Sequence, residues 1–475
     1  MKAHDFKGYF KNYLSDYRIE KRTEQVMNDM LKSGTVVVNK FCSTFAEKKA
    51  AYNLFKNSTF SEMELINSIT SKSKSKQESN HLLCIQDTTE INYTNHINRI
   101  GKDDQEIGPV TKNDNAGFFC HPTLIVDSEQ QMPVGFSSIQ IWNRSWDKKD
   151  KFERKYHLQD IEEKESYRWI KASEDTKKIL NDVPTLTIIG DRESDIYEEF
   201  VSVPDERTHL LVRSSINRRL YQQEDKLFEH LKALPSALEY QLPIQHNKKR
   251  KNRIAKLTLK FTKVKLCRPQ KSRLNKYPEF VDMWAIEARE LSETTPHNEE
   301  PIIWRLLTTH PVVDVKTALQ CIQWYAQRWI IEELFRVIKS KGLQIESSQL
   351  ETGAGLKKQL VMALQVALTT MSLKMAYNNN HHIKASVQFS NDEMMFMVAL
   401  NATLEGNTQK QKNPFDKESL AYCSWVCARL SGWSGYISQD KPGYISMKQG
   451  LDKFHIKYEG YLLAMKVLNN NQYKE

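Results

Sequence analysis

Asp87 and Asp191 each close a short apolar run, Leu82–Gln86 and Leu186–Gly190, and both runs read as β-strands. Neighbouring strands of one sheet would deliver the two carboxylates to the same edge. Hard divalent cations such as Mg²⁺ need only one or two protein carboxylates, with water and phosphate in the remaining positions. Two such ions about 4 Å apart activate an attacking oxygen on one side of a phosphodiester and stabilise the leaving oxygen on the other. Acids also end strands simply as turn formers, so this pair alone leaves both readings open.

A third carboxylate is available in a helical stretch expected to run from about Asp314 to Lys341, with a good capping residue at its start and Gly342 after its end. Tyr325, Arg328, Glu332, Arg336 and Lys339 follow one another at steps of three, four, four and three, which places them on one helical face. One reading is a solvated stripe tied by Arg328–Glu332 and Glu332–Arg336 pairs, each worth about 0.2–0.5 kcal/mol. The other is a phosphate site, in which the acid holds an ion and the flanking cations hold adjoining phosphates.

The elements that must position these residues can be read along the chain. From Asp5 to about Ile69 the pattern is helical, with Arg18, Lys21 and Arg22 opening an amphipathic stretch that suits either a DNA-reading helix or an ordinary surface helix. The polar segment SKSKSKQESN (71–80) reads as a linker. Phe118–Val126 and Val134–Trp142 suggest an antiparallel hairpin, EEKESYRWIKA a helix, and LLVRSS (210–215) a further strand after the helix-like DIYEEFVS. Three antiparallel strands, a helix, a strand, a helix and a strand are the order of an RNase H-like α/β layer.

Between about Asn217 and Leu307, β-type runs predict an inserted β subdomain, with the basic turn HNKKRKNR (246–253) at a hairpin tip that is either solvated or phosphate-gripping. NNNHHIKAS reads as a loop, and the mostly helical remainder concentrates aromatic residues. The expected organisation is a helical domain over 1–70, a catalytic α/β domain over 71–375 with the insert at about 217–307, and a helical C-terminal domain over 376–475.

Bulk properties agree with this picture. A chain of 475 residues exceeds one ordinary core. Its formal charge of +10 favours a polyanionic partner, although a basic surface also serves solubility. Seven cysteines without paired spacing argue against a zinc site or a disulfide framework. Without a signal-like N-terminus or a run of eighteen apolar residues, the expectation is a soluble, cytoplasmic protein with no membrane partner.

The combined motifs carry a family resemblance. Tyr325, Arg328, Glu332 and Lys339, spaced Tyr-x-x-Arg-x-x-x-Glu-x-x-x-x-x-x-Lys, resemble the signature of insertion-sequence-four family DDE transposases. IQDTTEINY around Asp87 and GDRESDIYEEF around Asp191 are similar to the family's two aspartate segments, and LLVRSS, WRLLTTHPV and YAQRWIIEELFRVIKS follow in the family's order.

The resemblance implies a cut-and-paste transposase acting as a homodimer on paired double-stranded transposon ends and then on target DNA. It implies two Mg²⁺ ions per site, replaceable by Mn²⁺, on Asp87, Asp191 and Glu332. Tyr325, Arg328, Arg336 and Lys339 would hold phosphates near the cleavage point. Trp304 stands where a tryptophan stacks on a flipped base, although as a residue it reads more readily as core, and Arg213 stands where an arginine contacts DNA. Arg18, Lys21 and Arg22 fall in the end-recognition region; Ile19 and Lys21 depart from the family pattern, which points to a different end sequence. Two other functions share these acids: an RNase H-like metal-dependent nuclease, and a DNA-binding transposition repressor.

Overall fold

The computed structural model describes residues 6, 8–74, 79–111, 115–147, 158–244, 250–270, 272–339, 342–379, 383–436 and 441–472. Four helices come first: α1 (Tyr17–Ser33), α2 (Val38–Phe41), α3 (Phe45–Lys56) and α4 (Glu62–Lys74). Asp16 caps α1, and Thr44 with Glu47 forms a reciprocal capping box on α3. Helix α4 continues through Lys74, into the segment expected to be a linker; the rest of that segment, 75–78, lies outside the described residues, as do 246–249 of the basic turn and 380–382 of the NNNHHIKAS loop. The Ser/Lys composition signals exposure, and exposure is compatible with a helical end.

The sheet begins with β1 (His81–Gln86) and β2 (Thr89–Asn92), followed by the short α5 (Ile97–Ile100) and then β3 (Gly108–Pro109), β4 (Ala116–Asp127) and β5 (Pro133–Trp142). Next come α6 (Tyr167–Ile179), β6 (Thr185–Gly190), α7 (Tyr197–Ser202), β7 (Thr208–Arg213), α8 (Leu227–Ala233), β8 (Leu238–Ile244), β9 (Arg253–Cys267), β10 (Phe280–Glu290) and β11 (Ile303–Thr308). Strand β4 lies antiparallel between β5 and β1; β1, β6 and β7 run parallel. The expected insert forms its strands, but β11 pairs antiparallel with β7, so β8–β11 extend the same sheet.

Side-chain alternation divides the central strands between two cores. Leu82 and Cys84 of β1, Leu186 and Ile188 of β6, and Leu210 and Val212 of β7 join Ile170 and Phe200 on one face. Leu83, Ile85, Ile189 and Leu211 join the other face, whose cluster also holds Met27 and Phe55 from the N-terminal helices and Trp425 and Phe454 from the C-terminal ones. The three regions therefore share one continuous apolar core.

After β11 the expected single long helix is two, α9 (Val315–Ala326) and α10 (Trp329–Ile338). Between them, the Gln327 and Arg328 amides donate to the Trp324 and Tyr325 carbonyls, and Ile330 and Ile331 to Gln327 and Arg328. These are three-residue steps, and they tighten the turn and rotate the second helix relative to the first. Helix α11 (Gly353–Asn379) is apolar around its whole circumference, as a core helix should be. By length and composition it could cross a membrane, yet 89% of its most apolar window is buried within the protein. Helices α12 (Asn391–Leu404), α13 (Leu420–Leu430) and α14 (Tyr444–Gln472) complete the chain. Lys448 of α14 donates to the Gly34 carbonyl at 2.7 Å, tying the last helix to the end of α1.

Candidate active site

Strands β1 and β6 are parallel and in register, Ile85 opposite Ile189, so Asp87 and Asp191 leave the same edge of the sheet at equivalent positions. Each carboxylate is oriented by its own turn: Asp87 accepts from the Thr88 amide and Asp191 from the Glu193 amide, both at 2.8 Å. Asp191 caps a short 3₁₀ turn. Gly190 before it is required by close approach, because a Cβ there would lie 2.3 Å from the Ser194 hydroxyl oxygen. Ser194 in turn donates to buried Glu199, and Asp195 pairs with buried Arg218 at 2.6 Å, which anchors the turn from below.

Glu332 comes to the same site through Arg328. One guanidinium nitrogen of Arg328 lies 3.2 Å from Asp87, and another is hydrogen-bonded to Glu332. Burial, then the charge of Asp191, and more weakly that of Glu332 push the Asp87 carboxyl up to about 7, against the opposing pull of Arg328. The three acids thus feel one another, but among the described residues no three His, Cys, Asp or Glu side chains converge closely enough to hold one ion together. The guanidinium stands between two of them instead.

The break between α9 and α10 reorganises the expected stripe. Tyr325 is buried with its hydroxyl beside the guanidiniums of Arg328 and Arg213, and the Nε of Arg328 is buried without a hydrogen-bond partner. Arg336 is exposed and pairs with Glu333 at 2.7 Å, in place of the expected Glu332. Lys339 follows the last turn of α10, and burial lowers its pKa despite the nearby charges of Glu346 and Glu90. Trp304 on β11 is half-buried and meets Tyr325 edge-on, with ring centroids 6.0 Å apart. Arg213 donates to the Ile303 carbonyl, and burial, with the positive charges of Arg192 and Arg328, lowers its pKa.

Arg213 also lines a groove of about 390 Å³ together with Arg192, Arg250 and Arg305. Arg305 is paired with buried Glu287, and Arg250 reaches Glu290 only at 4.0 Å. Arg253, from the same basic turn as Arg250, points inward to Glu290 and Glu299. Arg18, Lys21 and Arg22 belong to α1, away from these contacts; Lys21 covers the Tyr17 ring and Arg22 donates to Gln25.

Sequence reasoning missed Arg192, Asp195, Arg218 and Arg305, and reached Arg250 only as part of the basic turn. Arg192 and Asp195 lie inside the quoted GDRESD segment, where the charged residues beside Asp191 were a usable signal. Arg250 lies in the basic turn at 246–253, where the charge run was the signal, whereas Arg218 and Arg305 carry no spacing pattern that distinguishes them from surface arginines.

The family model described as Transposase DDE domain matches residues 171–369, a segment that contains Asp191, Arg213, Trp304, Tyr325, Arg328, Glu332, Arg336 and Lys339 and begins after Asp87. This match, falling on the strand–helix framework that carries the acidic site, supports a DDE transposase, an enzyme acting on DNA from a family that generally uses divalent metal ions.

Proposed function

We propose that the protein is a cut-and-paste transposase of the insertion-sequence-four branch, with an RNase H-like catalytic layer that cuts transposon ends and joins them to target DNA. The observation that carries this reading is the in-register placement of Asp87 and Asp191 on neighbouring parallel strands, with Glu332 tied to Asp87 through Arg328. Hard divalent ions need only one or two protein carboxylates each, so acids that share a field without converging on one point still make a usable donor set. Ions held there would activate the attacking oxygen and stabilise the leaving one.

The chain's own residues supply the rest. The Arg328 guanidinium, beside the acids and close to the Tyr325 hydroxyl, is a group that a phosphate oxygen would engage. Arg192 and Arg213 extend this positive surface along the groove, as a strand backbone requires. Trp304 beside Tyr325 offers an aromatic platform for a base displaced when the freed 3′ hydroxyl attacks the opposite strand to make a hairpin, which water then reopens before strand transfer. Arg336 and Lys339 would reach flanking phosphates, and Arg18, Lys21 and Arg22 the transposon end.

Pairing of two copies is supported by the outer part of α14, where Ile456, Leu463, Val467 and Leu468 are exposed at helical spacing. On this reading residues 1–70 bind ends, 71–375 cut and join, and 376–475 dimerise.

The test is incubation of the purified protein with labelled DNA from the ends flanking its gene, with Mg²⁺ or Mn²⁺. A transposase yields nicked, hairpin and joined products. A repressor shifts the DNA and leaves it uncut; a nuclease cuts without joining and keeps its activity when the first seventy residues are removed.

A further inference from the structure

Arg168, at the start of α6, lies just before the matched segment, in a stretch that the sequence marks only as a helix. Each nitrogen of its guanidinium is engaged: Nε donates to the Thr88 hydroxyl at 2.9 Å, Nη1 to the Glu165 carbonyl at 2.9 Å, and Nη2 to the Glu193 carboxylate. Thr88 and Glu193 are the two residues whose backbone amides hold the carboxylates of Asp87 and Asp191. One side chain therefore grips both acid-bearing turns by the residues that orient the acids. Because Asp87 and Asp191 repel each other, their turns need such a cross-link.

The link is backed by a buried chain of hydrogen bonds. The Thr88 hydroxyl meets His121 Nδ1 at 2.9 Å, His121 Nε2 meets the Gln86 carbonyl oxygen at 3.3 Å, and the Gln86 amide donates to Ser173 at 2.9 Å. With His121 neutral and its proton on Nε2, every donor from Arg168 through Thr88, His121 and Gln86 to Ser173 points the same way. Ser173 then donates to the carbonyl of Trp169, the neighbour of Arg168, which closes the circuit on α6.

We propose that Arg168 is a positioning residue that sets the separation and orientation of the Asp87 and Asp191 carboxylates through Thr88 and Glu193. This rests on the reading that those carboxylates bind divalent ions. Residues that orient metal ligands typically change metal affinity about 10–100-fold when replaced. Arginine's rigid fork can serve three acceptors at once, whereas lysine reaches only part of the set.

The experiment is Mn²⁺ binding to the full-length protein, followed by electron paramagnetic resonance, with thermal melting in parallel. Arg168→Gln is expected to weaken Mn²⁺ binding about tenfold or more and Arg168→Lys by less, with DNA retention on a heparin column unchanged. Glu193→Gln alters a side chain that is 64% exposed, so it spares folding, and it is expected to weaken binding in the same direction. The double variant Arg168→Gln/Glu193→Gln should be no worse than Arg168→Gln alone. Unchanged Mn²⁺ affinity in Glu193→Gln, or full additivity in the double variant, overturns the role of Arg168 while leaving the metal reading intact. Absence of any Mn²⁺ site that Asp87→Asn weakens overturns the metal reading, and this inference with it.

Discussion

Asp87→Asn is expected to make the metal-free protein more stable while removing its activity. The carboxyl is pushed up to about 7 from an ordinary 3.8, chiefly by burial and by Asp191. Below pH 3.8 the folded and unfolded chains both hold the proton. Between 3.8 and about 7 only the folded chain holds it, so stability falls as pH rises, and the loss is complete above about 7. A gap of about three units at ~1.4 kcal/mol each sets an upper limit near ~4 kcal/mol. Local relaxation and water access reduce this, so we expect about 1–3 kcal/mol at pH 8. Asparagine keeps the shape and cannot ionise.

Urea denaturation in EDTA at pH 8 should therefore show the variant more stable than wild type, and the difference should shrink by about half at pH 5.5. Added Mg²⁺ should then raise the wild type and leave the variant where it was. A variant no more stable than wild type at pH 8, or an advantage equally large at pH 5.5, would refute the reasoning about a buried carboxyl held beside a like charge at this sheet edge.

Other outcomes follow from the same geometry. Glu332→Gln should lose strand cleavage and keep binding of end DNA in a gel shift; robust cutting by that variant removes Glu332 from the chemistry. Trp304→Ala should slow hairpin formation about 5- to 150-fold, the equivalent of ~1–3 kcal/mol of lost base stacking, and leave first-strand nicking within a few-fold of wild type; equal losses in both steps would make Trp304 a packing residue only. His81 and His310 both contact Thr187, and His310 stacks on His209 with centroids 3.9 Å apart. Burial first and neighbouring imidazoles second lower the pKa of His81 to about 4 and that of His310 further. They stay neutral in the folded protein while the unfolded chain takes up protons below about 6.5, so stability should fall as pH drops from 6.5 towards 4. Measured in the Asp87→Asn background, which removes the opposite slope, His310→Gln should flatten that fall; an unchanged slope would show that the cluster does not set it.

The strands were legible because burial on both faces leaves an unmistakable signature. Leu82–Gln86 and Leu186–Gly190 are short apolar runs that end in an acid, and both form the parallel centre of the sheet. The continuation of the insert into the same sheet was not legible, because β7–β11 pairing joins residues about ninety positions apart and no local pattern reports it. The start of the expected linker is helical for the opposite reason: Ser73 looks like a flexible-segment residue, yet it is buried and bonded to the Phe136 amide of β5.

At the site, sequence spacing implied a single helical face that the two helices α9 and α10 do not keep. A continuous helix would have presented Tyr325, Arg328, Glu332, Arg336 and Lys339 to one side, with Glu332 shared between two arginines. The three-residue steps at Gln327 and Arg328 turn Tyr325 and Arg328 into the protein and leave Arg336 outside with Glu333. No helix breaker marks that turn, since Trp-Tyr-Ala-Gln-Arg-Trp contains neither proline nor glycine. What favours it is tertiary: Arg328 gains Asp87, 241 residues earlier in the chain, along with Glu332 on the next turn. An ion pair across that separation can override a local helical preference of a few tenths of a kcal/mol per residue. The same pairing gathers the acids that the sequence keeps far apart.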